Sequence, residues 1–434
     1  MDKCYTLLMY ENEKVGETGD AQGHRRSMPF ADSYGGKKMK KFMATLLIAA
    51  MSLSLVACGG SDKKADKGEA VDKSNIKVGV IYIGDENEGY TEAHMKGIDE
   101  MQKELGLSDD QIIEKTLIPE SEECYDAAVD LADQGCDIIF ANSFGHESYL
   151  IQAAEEYPDI QFCHATGFQA ASSGLDNMHN YFTSIYESRY VSGVVAGMKL
   201  NEMIANGTIT EDQAKIGYVG AYPYAEVKSG YTSFFLGARS VCSSATMKVI
   251  YTNSWASIDL EKEAAESLIA DDCVLISQHA DTTGASTACE KAGVPIVGYN
   301  VSMIATAPTQ ALTSAANNWA PYYTYAVKCV LDGKKIDTDW CKGYSDGSVS
   351  ITELNDAAVA EGTAEKVAEV EKAIKDGTLH VFDTSTFTVD GKNLDSWKDD
   401  YDNEYIKDGY FHESELHSAP AFAIDIDGID SVEK

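Results

Sequence analysis

The chain is short of positive charge: 35 Lys and Arg stand against 70 Asp and Glu, for a formal net charge of −35. Nucleic-acid binding runs on clustered Lys and Arg, so this balance argues against such a partner. No long acidic tail carries the excess, which is spread along the sequence. Also lacking is an apolar run of the ~20 residues that a membrane-spanning helix needs. CxxC is absent, which disfavours a zinc knuckle or a thioredoxin-like pair, and so is HExxH. A hydrolase would need a positioned nucleophile, and no nucleophile elbow is expected. What remains is long enough, at 434 residues, for two or three domains with a sizeable core.

The one segment apolar enough to concern a membrane is "ATLLIAAMSLSLVA", Ala44 to Ala57, preceded by "KKMKK". A lysine flank and a short apolar core describe a secretory signal. Leu55-Val56-Ala57-Cys58 resembles a lipobox, in which the cysteine is lipidated and becomes the mature N-terminus. Acyl chains on Cys58 would anchor the body to the extracytoplasmic face of a cell membrane. We therefore expect residues 1–38 to be an extension upstream of a start at Met39, 39–57 the signal and 58–75 a flexible, polar tether. Eight cysteines follow Cys58, several inside apolar runs such as "GCDIIF" and "DDCVLI", where a thiol packs as a small hydrophobe. Their even number leaves disulfides open.

From Ile76 onward, β-rich runs alternate with helical patterns: "IKVGVIYI", "QIIEKTLI", "DIIFAN", "IQFCHA", "AKIGYVG", "MKVIYTNS", "CVLISQ" and "PIVGYN". Continuous Val/Ile runs between amphipathic helices indicate parallel sheets covered on both faces. Eight runs exceed one typical sheet and divide into two sets. The expected fold is α/β, with two Rossmann-like lobes joined by several crossovers. One lobe takes residues 76–186 with part of 317–345, the other 187–316 with part of 346–434. Laying "CDIIFANSFGHESYLIQAAEEYPDIQF" over "DCVLISQHADTTGASTACEKAGVPIV" puts Ser143-Phe144-Gly145 and His279-Ala280-Asp281 at equivalent strand ends. In open α/β sheets that edge is where ligands bind.

Seven stretches carry a family resemblance: "KVGVIYIGDENEGYTEAHMKG", "ANSFGHESYLIQAAEEYPDIQFCHATG", "YESRYVSGVVAGM", "KIGYVGAYPYAEVKSGYTSFFLGAR", "NSWASIDLEKEAAESLI", "SQHADTTGASTACEKAGVPIVGYN" and "NNWAPYY". They cover roughly residues 76–330, and the chain resembles the basic membrane protein family of substrate-binding lipoproteins, of class I periplasmic-binding-protein fold. The resemblance implies a receptor that delivers purines, purine nucleosides or related small molecules to the permease and ATPase of an ABC importer. A Trp after the strand and "QH.D" are similar to the purine-binding branch. That branch usually has an acidic residue where "GYNVSM" has Ser302.

The expected ligand-binding residues are Tyr90, His94, Phe144, Trp255, His279, Asp281, Tyr299 and Asn300. Aromatics in a cleft supply flat apolar area suited to a heterocyclic base or a sugar face. His94 sits at the matching family position, where it is either structural or ligand-facing. His279 and Asp281 can be read as an acid–base pair, as metal ligands or as a binding corner. A metal needs more convergent ligands, so the binding corner is preferred, with Asp281 capping its helix and accepting from a ligand. No catalytic residue, metal or cofactor is expected. A ligand-sensing lipoprotein without a transporter is the alternative, and a nucleoside hydrolase a third reading. A repressor of the same fold is disfavoured, because an export signal stands where a DNA-binding headpiece would be.

Overall fold

A strand covered by helices on both faces is buried at every position, and β1 (Val78–Ile81) is. The computed structural model describes residues 70–399 and 402–432, all within one compact unit. In the first sheet β1 pairs in parallel with β2 (Ile112–Lys115) and β3 (Ile138–Ala141). It continues through β4 (Gln161–Ala165) and β5 (Met178–Thr183). The second sheet is built from β6 (Lys215–Gly220), β7 (Thr246–Tyr251), β8 (Leu275–Gln278), β9 (Ile296–Tyr299) and β10 (Ala311–Asn317). Strand β11 (Asp339–Lys342) then adds to the first sheet beside β5, and β12 (Val349–Ile351) to the second, antiparallel to β10. A short hairpin, β13 (Ile406–Lys407) and β14 (Tyr410–Phe411), precedes β15 (Ile429–Val432), which pairs in parallel with β7.

The two orders are β11-β5-β4-β3-β1-β2 and β12-β10-β9-β8-β6-β7-β15. Each reverses direction beside its opening strand, between β1 and β3 and between β6 and β8. Those reversals are where a doubly wound sheet leaves a crevice at its carboxyl ends. The chain crosses from lobe to lobe through the helix Ile185–Ala205, again through the helix Ala320–Asp332 into β11, and once more into β12. Close packing fixes the first crossover. A Cβ on Gly193 would overlap the Phe234 carbonyl, so the helix lies directly against Ala225–Val241.

Several strands escape the sequence reading, among them the two-residue β13 and β14. β5 ("MHNYFT") and β10 ("ALTSAAN") are buried throughout yet lack a Val/Ile run, and β11 and β15 lie at sheet edges. Conversely, "QIIEKTLI" is strand only over Ile112–Lys115. The extension, the signal and Cys58 lie outside the described residues. Residues 73–75, expected to belong to the tether, form a turn that Gln111 ties to the body through the Lys73 carbonyl at 2.8 Å. All eight cysteines after Cys58 are free thiols, and seven of them are buried. Among the described residues no helix is long and apolar enough to cross a membrane.

Candidate functional site: a cleft between two sheet edges

A cavity of about 560 Å³, open mouth included, lies where the two reversals face each other. The first lobe lines it with Ile83, Gly84, Glu88 and Tyr90 after β1, Asn142 to Phe144 after β3, and Thr166 after β4. Glu226, Trp255, Ala256, His279, Asp281 and Tyr299 line it from the second lobe. The lobes touch around it: Gly89 N–H donates to the Asp281 carbonyl at 3.1 Å, and the Phe144 and Tyr224 rings lie 5.6 Å apart. A Cβ on Gly89 would stand 3.2 Å from Val301 and 3.3 Å from that carbonyl, so glycine permits the approach. This is a closed arrangement.

On the first lobe the polar groups are largely engaged. The Glu88 carboxylate accepts from Tyr90 N–H at 2.7 Å and Thr91 N–H at 2.9 Å, capping the helix Gly89–Leu105. Asn142 Oδ1 accepts from Ile83 N–H at 2.9 Å, and Tyr90 O–H donates to the Asn142 carbonyl at 2.7 Å. Thr166 has φ 70°, a costly backbone for a β-branched residue. The loop after it is held by the buried Glu147, which accepts from Phe168 N–H at 2.8 Å and Gln169 N–H at 2.7 Å.

On the second lobe two carboxylates face the cavity with acceptor capacity left. Asp281 Oδ1 accepts from Asn300 Nδ2 at 3.3 Å, and among the described residues Oδ2 has no hydrogen-bond donor. Glu226 Oε1 accepts from His279 Nε2 at 3.3 Å. Asn300 adopts φ 59°, which asparagine tolerates, and its own Oδ1 is held by Asn317 Nδ2 at 2.8 Å. Glu261 is buried beneath the corner and accepts from Thr282 N–H at 3.1 Å. Trp255 packs edge-on to Tyr222 at 5.1 Å, and its carbonyl accepts from Asp281 N–H at 3.0 Å.

Burial pushes the Asp281 carboxyl well above the usual range; Glu88, Glu261 and Glu226 add to the push and Arg189 opposes it. Burial likewise lifts Glu226 to about 7, against the pull of Arg189. His279 is held well below its ordinary value, first by burial and then by Arg189. A neutral imidazole with its proton on Nε2 fits the bond to Glu226.

Six of the eight expected residues line the cavity: Tyr90, Phe144, Trp255, His279, Asp281 and Tyr299. His94 does not. It is fully buried, stacked on Trp319 at 4.1 Å, with Nδ1 2.5 Å from the Tyr323 hydroxyl. Asn300 stands behind Asp281 and orients it. Asp281 does not cap its helix; Thr283 occupies the N-cap without a side-chain bond, and Asp281 turns to Asn300 instead. Ser302 points away from the cavity and donates to Glu353 at 2.8 Å. Glu88 and Glu226 were missed, because an acid at a helix start reads as a cap. A GxSxG pattern does occur, contrary to expectation, as Gly343-Tyr344-Ser345-Asp346-Gly347. It forms a 3₁₀ turn between β11 and β12, outside the cavity, and is not a strand-to-helix elbow. Among the described residues no cluster of His, Cys, Asp and Glu could hold a metal ion.

Residues 76–380 match the family of PnrA-like ABC transporter substrate-binding proteins. The chain belongs to that family. A purine-binding protein of Brucella abortus is 34% identical over 319 residues, 73% of this chain and 85% of that protein. A Haloferax volcanii protein named for glucose binding by an ABC transporter is 29% identical over 330 residues, 76% of this chain and 79% of that one. Among solved structures, a solute-binding protein of an ABC transporter system from Aeropyrum pernix superposes with a TM-score of 0.58 at 17% identity, covering 71% of this chain and 93% of that one. That likeness carries the fold. As a PnrA-like substrate-binding protein the chain works outside the cytoplasm, binding a small molecule for a permease; the family is not a class of enzymes.

Proposed function

We propose that the protein is a lipid-anchored receptor that closes its two lobes on a purine-type ligand, a nucleobase or nucleoside, and presents it to the permease. The supporting observation is the chemistry of the cavity: a flat aromatic on each lobe, Phe144 and Trp255, with the Asp281 and Glu226 acceptors beside them. A purine offers two faces to aromatic walls and an edge of N–H donors to carboxylates. The purine-binding name of the Brucella relative agrees with this reading, and the glucose-binding name of the Haloferax relative supports a second one, a sugar stacked on the same aromatics.

Ligand that binds only the folded state raises the unfolding temperature by mass action. Thermal shift with adenine, guanine, hypoxanthine, their nucleosides and glucose therefore separates the two readings. A rise with a purine compound is expected; a rise with glucose alone replaces the purine by the sugar. The anchor is tested through Cys58→Ala, which should free the protein from the membrane fraction or leave it unprocessed. A variant lipid-modified and membrane-bound as before would remove Cys58 lipidation from the account.

A further inference from the structure

Of the aromatic residues that line the cavity, Phe144 is the most exposed, so burial alone does not hold it in place. The hold comes from a residue outside the cavity. Glu120 lies in the loop between β2 and the helix Glu122–Asp133 and sets one carboxylate oxygen against both neighbours of Phe144. Its Oε1 accepts from the Ser143 hydroxyl at 2.6 Å and from Gly145 N–H at 2.8 Å. A carboxylate acceptor makes both bonds charge-assisted. Gly145 permits the approach, since a Cβ there would stand 2.7 Å from the Glu120 Cβ. The same turn is held through the Ser143 carbonyl, which accepts from His164 Nε2 at 2.7 Å and from His146 N–H at 3.0 Å.

A turn fixed in this way decides where the ring goes. Phe144 meets Tyr224 of the second lobe at 5.6 Å, Tyr224 stacks on Tyr222 at 5.1 Å, and Tyr222 packs edge-on to Trp255 at 5.1 Å. Rings therefore run from the aromatic wall of one lobe to that of the other. We propose that Glu120 is a positioning residue for ligand binding: it clamps the Ser143–Gly145 turn so that Phe144 stands as the wall of the first lobe and closes onto Tyr224. The proposal rests on the cleft being the ligand site and does not depend on the ligand being a purine.

The clamp is tested first without ligand, by hydrogen exchange of the peptide spanning residues 141–148 in the intact protein. Glu120→Ala removes the acceptor and should speed exchange of the Gly145 amide about tenfold. Glu120→Gln keeps an oxygen that accepts and should stay near wild type. Gly145→Ala should loosen the turn as Glu120→Ala does, by displacing the glutamate. Glu120 is exposed, so its variants should fold; if Gly145→Ala does not, the two glutamate variants decide alone. Unchanged exchange in Glu120→Ala overturns the proposal. Binding is then read by calorimetry with guanosine, hypoxanthine and glucose. For whichever of these binds wild type, Glu120→Ala should lose about threefold in affinity and Glu120→Gln should lose none. Beside Phe144→Ala, Glu120→Ala should cost nothing further, because residues that act through one another are not additive. No loss in Glu120→Ala, or a loss that persists undiminished beside Phe144→Ala, overturns the proposal equally. Silence of all three probes in wild type counts against the proposed ligands alone, the clamp being decided by exchange.

Discussion

The two lobes share a topology and contribute different chemistry. In each, a central parallel strand is flanked by its neighbours in reversed order, and cavity residues follow its carboxyl end. Yet the first lobe spends its polar groups on itself: Glu88 caps a helix, and Asn142 is bonded to Ile83 and approached by Tyr90. The second keeps Asp281 and Glu226 turned to the cavity with capacity to spare, over a buried arginine. One lobe engages its polar groups internally, while the other leaves two acceptors facing the cavity. The fold supplies two equivalent edges, and the side chains placed there divide the work.

The division is broken most severely at Asp281. Asp281→Asn exchanges an ionisable acceptor for a partial donor, leaving a buried ligand donor unpaired, which costs about 1–3 kcal/mol. Calorimetry should record a roughly ten- to hundredfold loss of affinity, the largest in the series. Trp255→Ala should lose about thirtyfold as an aromatic anchor. Its counterpart Phe144→Ala should lose only about fivefold, because that ring is 38% exposed and partly supported by Tyr224. Equal losses for the two aromatics would erase the asymmetry between the lobes.

A pH series sharpens the same contrast. Burial lifts Glu226 and Glu261, both of the second lobe, from 4.5 to about 7. The folded protein thus holds protons that the unfolded chain releases. Their contribution to stability is full below about 4.5 and is lost as pH rises through 7. The ligand-free protein should unfold at lower urea at pH 8 than at pH 5, and Glu226→Gln should flatten that slope. A slope unchanged by Glu226→Gln would show that the charge strain sits elsewhere. The smallest effect is expected from Tyr90→Phe, which removes one hydroxyl bond inside the first lobe. About threefold in affinity is the most it should cost.

Both sheets were legible in the Val/Ile runs, and the edge-of-sheet rule then pointed to Phe144, Trp255, His279 and Asp281. Strands β5 and β10 were not legible because neither carries a Val/Ile run: "MHNYFT" mixes Met and aromatics with polar residues, and "ALTSAAN" is mostly small or polar. His94 was placed by family resemblance, as structural or ligand-facing, and tertiary packing turns it into the core against Trp319. Glu226 was hidden for the opposite reason. Local sequence offers an acid at a helix start, and only the fold shows that its partner is His279, 53 positions away. Arg189 gave no local signal either, since its partners end strands of the second sheet, far from it along the chain.

The account turns on a purine-type molecule held by the carboxylates of the second lobe. Native mass spectrometry of freshly purified protein, wild type beside Asp281→Asn, tests this most directly. The account predicts that wild type carries an added mass of one nucleobase or nucleoside, restored by adding that compound after it is stripped, and that the variant is depleted of it. A hexose mass in its place, or a purine adduct equally populated in both proteins, would contradict it.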